Sequence, residues 1–96
     1  NLAVADVSVL APGLARAIKK NDTDLLDRYS ALAVPRVWKA QHFSYWMSSM
    51  LHTVPEEPYF ETQRSRAELR SVLATEAGRK YLAEQYVGLD LPSFEV

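Results

Sequence analysis

Between residues 29 and 51 an apolar pattern of helical period runs through a proline without losing its register. Tyr29, Leu32, Val37, Ala40, Phe43, Met47 and Leu51 fall on one face, with Leu25 and Leu26 leading into it and Met50 widening it. Such spacings stack side chains along one side of an α-helix. Arg28, Ala31, Pro35, Lys39, His42 and Ser49 occupy the opposite side, so Pro35 falls where solvent is expected. A proline removes one main-chain donor and bends a helix toward its packing partner. The continuous register therefore predicts one long kinked helix.

Three further helices surround it in sequence. Val7, Leu10, Leu14 and Ile18 share a face of a first helix over residues 2–18. Pro12-Gly13 predicts a bend or break near Ala11, because Pro12 has no amide for Ser8 and Gly13 lowers helix propensity. Lys19-Lys20 suit the end of this helix, and Asn21-Asp22-Thr23 supply an exit and the next cap. Residues 52–58 hold two prolines and the Glu56-Glu57 pair and form a connection. A third helix from about Glu61 carries Ala67, Leu69, Val72 and Leu73. A fourth is capped by Thr75, carries Tyr81, Leu82 and Tyr86, and stops at Gly88. The expected fold is all-α, with about four helices and no sheet.

The residue inventory excludes several functions. Eleven Lys plus Arg against twelve Asp plus Glu give a net charge of -1, and no basic run exceeds Lys19-Lys20, which argues against a nucleic-acid-tracking surface. The absence of cysteine removes disulfide, iron–sulfur and thiol chemistry. No stretch approaches the roughly 20 apolar residues of a membrane span, so a soluble, cytoplasmic protein is expected. His42 and His52 lie outside any metal-ligand spacing. Ser30, Ser44, Ser48 and Ser49 lack a nucleophile motif, and Glu56-Glu57 is a solvated turn rather than an acid–base pair. Trp38, Tyr45 and Trp46 are expected to pack against a neighbouring element or subunit. Asn1, immediately before a helix, can act as a cap or face an electron-rich ligand.

Asn1-Leu2-Ala3-Val4-Ala5-Asp6-Val7 resembles the entry to the flavin-facing helix of the class A flavoprotein aromatic hydroxylases. Arg28-Tyr29-Ser30-Ala31, Val37-Trp38-Lys39-Ala40 and Phe43-Ser44-Tyr45-Trp46-Met47 narrow that resemblance to members acting on a hydroxybenzoate ring. Glu68-Leu69, Thr75-Glu76-Ala77-Gly78 and Ala83-Glu84-Gln85-Tyr86-Val87-Gly88 are similar to the C-terminal helices of the same members. Pro12-Gly13 and Pro35 depart from the family pattern, and residues 92–96 follow none.

The resemblance implies that residues 1–96 are a C-terminal helical segment of an α/β (α+β) FAD-dependent hydroxylase fold. It implies FAD as cofactor, NADPH as cosubstrate, and a small aromatic substrate bound mainly by residues upstream. The segment would complete the FAD-binding domain, pack against the N-terminal part of the same enzyme and contribute to a homodimer interface, while being inactive alone. The family position matching Asn1 lies beside the pyrimidine edge of the flavin, with Leu2 adjoining; no catalytic or metal-binding residue is implied. A separately acting helical interaction or dimerisation module is the alternative.

Overall fold

The computed structural model describes residues 2–96, and every regular element among them is an α-helix. These are α1 (Leu2–Lys20), α2 (Asp24–Asp27), α3 (Tyr29–Leu51), α4 (Tyr59–Ala74) and α5 (Glu76–Val87). They form two compact units, one of Asn1–Ala40 with Leu89–Val96 and one of Gln41–Gly88.

In the first unit, α1 is continuous through Pro12 rather than broken near Ala11. Packing overrides the local penalty: Ala5, Val9 and Gly13, spaced four apart, form its buried stripe. Gly13 lets α2 approach closely, since a Cβ there would stand 2.9 Å from Leu26 Cδ2. Leu25 is completely buried, and enclosing a leucine contributes about 1.5–3 kcal/mol. The larger residues Val7, Leu10, Leu14 and Ile18 remain exposed, Ile18 by 82%. Small side chains thus set the helix approach, and the large ones face outward.

The expected long helix runs unbroken through Pro35 as α3, but its lead-in at Leu25-Leu26 forms a separate turn, α2, that ends at Arg28, which gives five helical pieces instead of four. Asn21 leaves α1 at φ 51, and the Asp22 carboxylate, rather than Thr23, accepts the Asp24 amide at 3.0 Å. Thr23 instead donates its hydroxyl to Asp27 at 3.1 Å. Arg28 adopts φ -91, ψ 0 and bonds back to Asp24 through its amide. Its guanidinium also pairs with the Asp24 carboxylate at 3.1 Å. These local bonds close one turn before α3 resumes, with the Leu32 amide on the Arg28 carbonyl. Pro35 is exposed inside α3, as its position on the polar side requires.

In the second unit α4 opens at Tyr59, two residues before the expected Glu61, with the Thr62 amide on the Pro58 carbonyl. The preceding turn joins the Glu57 amide to Val54 at 3.0 Å, and Glu56 has φ 67. Thr75 is extended, and its hydroxyl oxygen accepts the Gly78 amide at 3.0 Å, which is the expected cap of α5. Gly78 is required by space: a Cβ would collide with the Val72 carbonyl, a main-chain group that cannot swing aside. Arg79 donates to the Leu73 carbonyl at 2.8 Å, satisfying an acceptor at the end of α4. Gly88, at φ 76, ends α5 with its amide on Glu84.

Candidate functional site

Leu2 opens α1 and is partly exposed. The expected site residue Asn1 lies outside the described residues. No acidic side chain occupies the first turn of α1, so no carboxylate within that turn opposes the positive end of the helix dipole. Beyond it Ala3, Val4, Val7, Ser8, Ala11 and Pro12 line a shallow apolar groove. The Ser8 hydroxyl is turned inward, donating to the Val4 carbonyl at 2.8 Å. That bond withdraws the groove's hydroxyl donor from whatever packs on it.

This end of α1 fits the electron-rich edge of a flavin in chemical character, with a positive helix terminus flanked by small apolar side chains. Leu2 carries an apolar side chain there and offers no polar ligand atom. The described residues contain no group of three or more His, Cys, Asp or Glu able to hold a metal. Among the described residues no helix is long and apolar enough to cross a membrane.

At the other end of α1, Arg16 Nε donates to the Glu95 carbonyl at 2.7 Å and Lys20 Nζ to the Val96 carbonyl at 2.8 Å. Arg36 Nη2 donates to the Asp90 carbonyl. Residues 89–96 therefore form a strap on the first unit, with Pro92 and Phe94 half-buried. Of these three cations the sequence pointed only to Lys20, and only as a residue suited to the end of α1; Arg16 and Arg36 carried no signal. Their acceptors are main-chain carbonyls, which carry no residue-specific signal.

The second unit has its own polar and aromatic cluster. Trp46 Nε1 donates to Glu68 Oε1 at 2.7 Å, while Arg64 pairs with the other oxygen of Glu68 at 3.2 Å and with Glu61 at 3.4 Å. Hydrogen bonds to Glu61 and then Glu68 raise the Arg64 pKa, so the guanidinium stays charged. Tyr81 meets Trp46 edge-on at 5.5 Å, and His42 stacks on it at 6.4 Å. Phe43 meets Tyr86 edge-on at 6.2 Å. Of the three aromatics expected to need a partner, Trp46 finds one within the chain, whereas Trp38 and Tyr45 are 69% and 80% exposed. The Glu56-Glu57 carboxylates do not converge: Glu57 accepts from the Thr62 hydroxyl at 3.0 Å, and Glu56 is exposed. Ser49 donates to the Trp46 carbonyl at 2.7 Å and is bound into the helix.

No family model matches the chain. A curated relative, p-hydroxybenzoate hydroxylase from Acinetobacter baylyi (strain ATCC 33305 / BD413 / ADP1), is 39% identical over 89 residues. The matched region is 93% of this chain and 22% of that protein. The match agrees with the aromatic-hydroxylase resemblance carried by the opening segment, the α3 motifs and the C-terminal helices. Along nearly all of its length the chain is similar to a stretch of a p-hydroxybenzoate hydroxylase, and it spans about a fifth of the length of that relative.

Proposed function

We propose that residues 1–96 are a C-terminal helical segment of an FAD-dependent aromatic monooxygenase that converts 4-hydroxybenzoate to 3,4-dihydroxybenzoate using NADPH and O2. The observation that carries this reading is the 39% identity to p-hydroxybenzoate hydroxylase across 93% of the chain. In that reaction one oxygen atom of O2 enters the ring, the other leaves as water, and NADPH supplies the two electrons. Bound FAD supplies the hydride-accepting and oxygen-activating chemistry. The segment's own task is support: the start of α1, with Asn1 and Leu2, presents a positive helix terminus to the electron-rich edge of the cofactor. Asn1 holds that terminus by capping it or by approaching the cofactor directly.

The exposed apolar faces are consistent with this role. Val4, Val7, Leu14 and Ile18 on α1, and Trp38 and Tyr45 on α3, are exposed in the chain by itself. In the proposed enzyme they are covered by the N-terminal part of the same polypeptide and by a second subunit in a cytoplasmic homodimer. The same exposed aromatics favour the second reading, a non-catalytic helical interaction module.

Two measurements on purified proteins separate the readings. The intact protein should oxidise NADPH and form 3,4-dihydroxybenzoate from 4-hydroxybenzoate, and the 96-residue chain alone should do neither. An intact protein that retains no FAD and turns over no hydroxybenzoate would leave the interaction module. Asn1→Ala should lower the flavin potential and weaken FAD binding, since losing a cap is worth about 0.5–2 kcal/mol. An unchanged potential with unchanged affinity would remove Asn1 from the site.

A further inference from the structure

We infer that the C-terminal strap is a clasp that fixes the position of α1 along its own axis, with Arg16, Lys20 and Arg36 as positioning residues for the proposed cofactor end. The inference rests on the reading of the α1 start as cofactor-facing.

The argument begins with how α1 is packed. Its buried stripe is Ala5, Val9 and Gly13. Two of these three offer little or no side chain to interlock, so they permit close approach but resist sliding along the axis weakly. Directional bonds are a better brake. Arg16 and Lys20 sit one turn apart on α1 and end on the carbonyls of Glu95 and Val96. Arg36, from α3, ends on the carbonyl of Asp90 in the same strap. Two helices thereby grip one extended segment, and Pro92 and Phe94 are partly buried between the grip points.

The type of acceptor matters. These are charge-assisted bonds to main-chain oxygens, so they depend on where the strap's backbone lies rather than on its side chains. The three donors hold the strap at positions 90, 95 and 96, which prevents it from pivoting about a single bond. A helix moves as a rod, and Arg16 lies about 20 Å from Leu2 at 1.5 Å rise per residue. An axial slip at the clasp is carried to the α1 start. Misplacement on the order of 1 Å at a reacting site costs up to about a hundredfold in rate, so a fraction of that shift is measurable in cofactor binding.

The test uses the intact FAD-loaded protein and the triple variant Arg16→Gln, Lys20→Gln, Arg36→Gln. Limited proteolysis within residues 89–96 reads the clasp; FAD dissociation and the flavin potential read the α1 start. The expected result is cleavage about tenfold faster, FAD affinity lowered about threefold to tenfold, and a shifted potential. Restoring charge with Arg16→Lys and Arg36→Lys, with Lys20 native, should recover most of both readouts. Faster cleavage with unchanged FAD affinity and potential would overturn the inference and leave a strap that holds only itself. Unchanged cleavage would overturn it as well. Failure of the cofactor reading itself is distinguishable, because Asn1→Ala would then leave the potential unmoved while the strap remained intact.

Discussion

The two compact units use equal lengths of chain but are held together by different means. The first contains most of the deeply buried apolar residues, Ala5, Val9, Leu25 and Ala33, with Gly13 admitting α2. Its strap is tied by cations on main-chain carbonyls. In the second unit Met50 and Ser65 are buried and α5 buries no residue. Its cohesion comes from the Trp46–Glu68–Arg64 bonds, edge-on aromatic pairs and the α4–α5 corner at Thr75 and Gly78. Close packing of small residues can enclose an interior within a short chain. Aromatic and polar contacts align helices while leaving their outer faces open to more polypeptide.

If this contrast is right, the largest single loss lies in the first unit. Leu25→Ala removes its fully enclosed leucine, and a substitution of that kind costs about 2–5 kcal/mol. Amide exchange in α2 and the facing part of α1 should accelerate by at least about thirtyfold in the intact protein, with α5 unaffected. Equal acceleration in α5 would show that the units do not behave separately.

The second unit should respond most at its corner. Gly78→Ala drives a Cβ into the Val72 carbonyl, and overpacking against main chain costs about 1–3 kcal/mol. The α4–α5 turn should open, with faster exchange at Gly78 and Arg79 and little change in α1. A wild-type exchange pattern would mean that the corner already has slack.

Trp46→Phe keeps an aromatic ring but removes the indole donor to Glu68. A hydrogen bond to a charged carboxylate is worth about 1.5–3 kcal/mol net of the water bonds it replaces. Glu68 retains Arg64 as a partner, which places the effect near the lower end. Exchange in the α3 turn around Trp46 and in α4 around Glu68 should rise together. A rise confined to α3 would assign Trp46's contribution to its ring and not to the bond.

The sequence made the helical class, the exposed side of Pro35, the Thr75 cap and the Gly88 stop legible, because each follows from local spacing or main-chain chemistry. It did not disclose the turn at Arg28, where Asp22, Asp24 and Arg28 close bonds over two to four residues that compete with an otherwise continuous apolar period. Of the bend or break expected near Ala11, the break is absent for a tertiary reason: Ala5, Val9 and Gly13 are packed, and packing outweighs one missing hydrogen bond. In the candidate site, Asn1 and Leu2 were reached through a helix-start argument joined to a family resemblance. The strap cations and the Trp46–Glu68 pair were not, since their partners stand 22 to 79 residues away and no local period relates them.

The smallest expected effect is Gly13→Ala, and its smallness is informative because Gly13 and Gly78 both lie in helices against a close neighbour. Alanine favours a helix interior over glycine by about 0.8–1 kcal/mol. At Gly13 the new methyl would meet Leu26 Cδ2 at 2.9 Å and Cγ at 3.3 Å, with the Leu26 amide nitrogen at 3.6 Å. The two closest atoms belong to the end of a flexible side chain, which can rotate by a few tenths of an ångström at a cost comparable to the propensity gained. The net change should fall within about 0.5 kcal/mol of zero, read as nearly unchanged exchange in α1 and α2. At Gly78 the obstructing atom is a main-chain carbonyl, so no side-chain rotation relieves the overlap. A loss at Gly13 as large as that at Gly78 would show that α2 is fixed as rigidly as the α4–α5 corner.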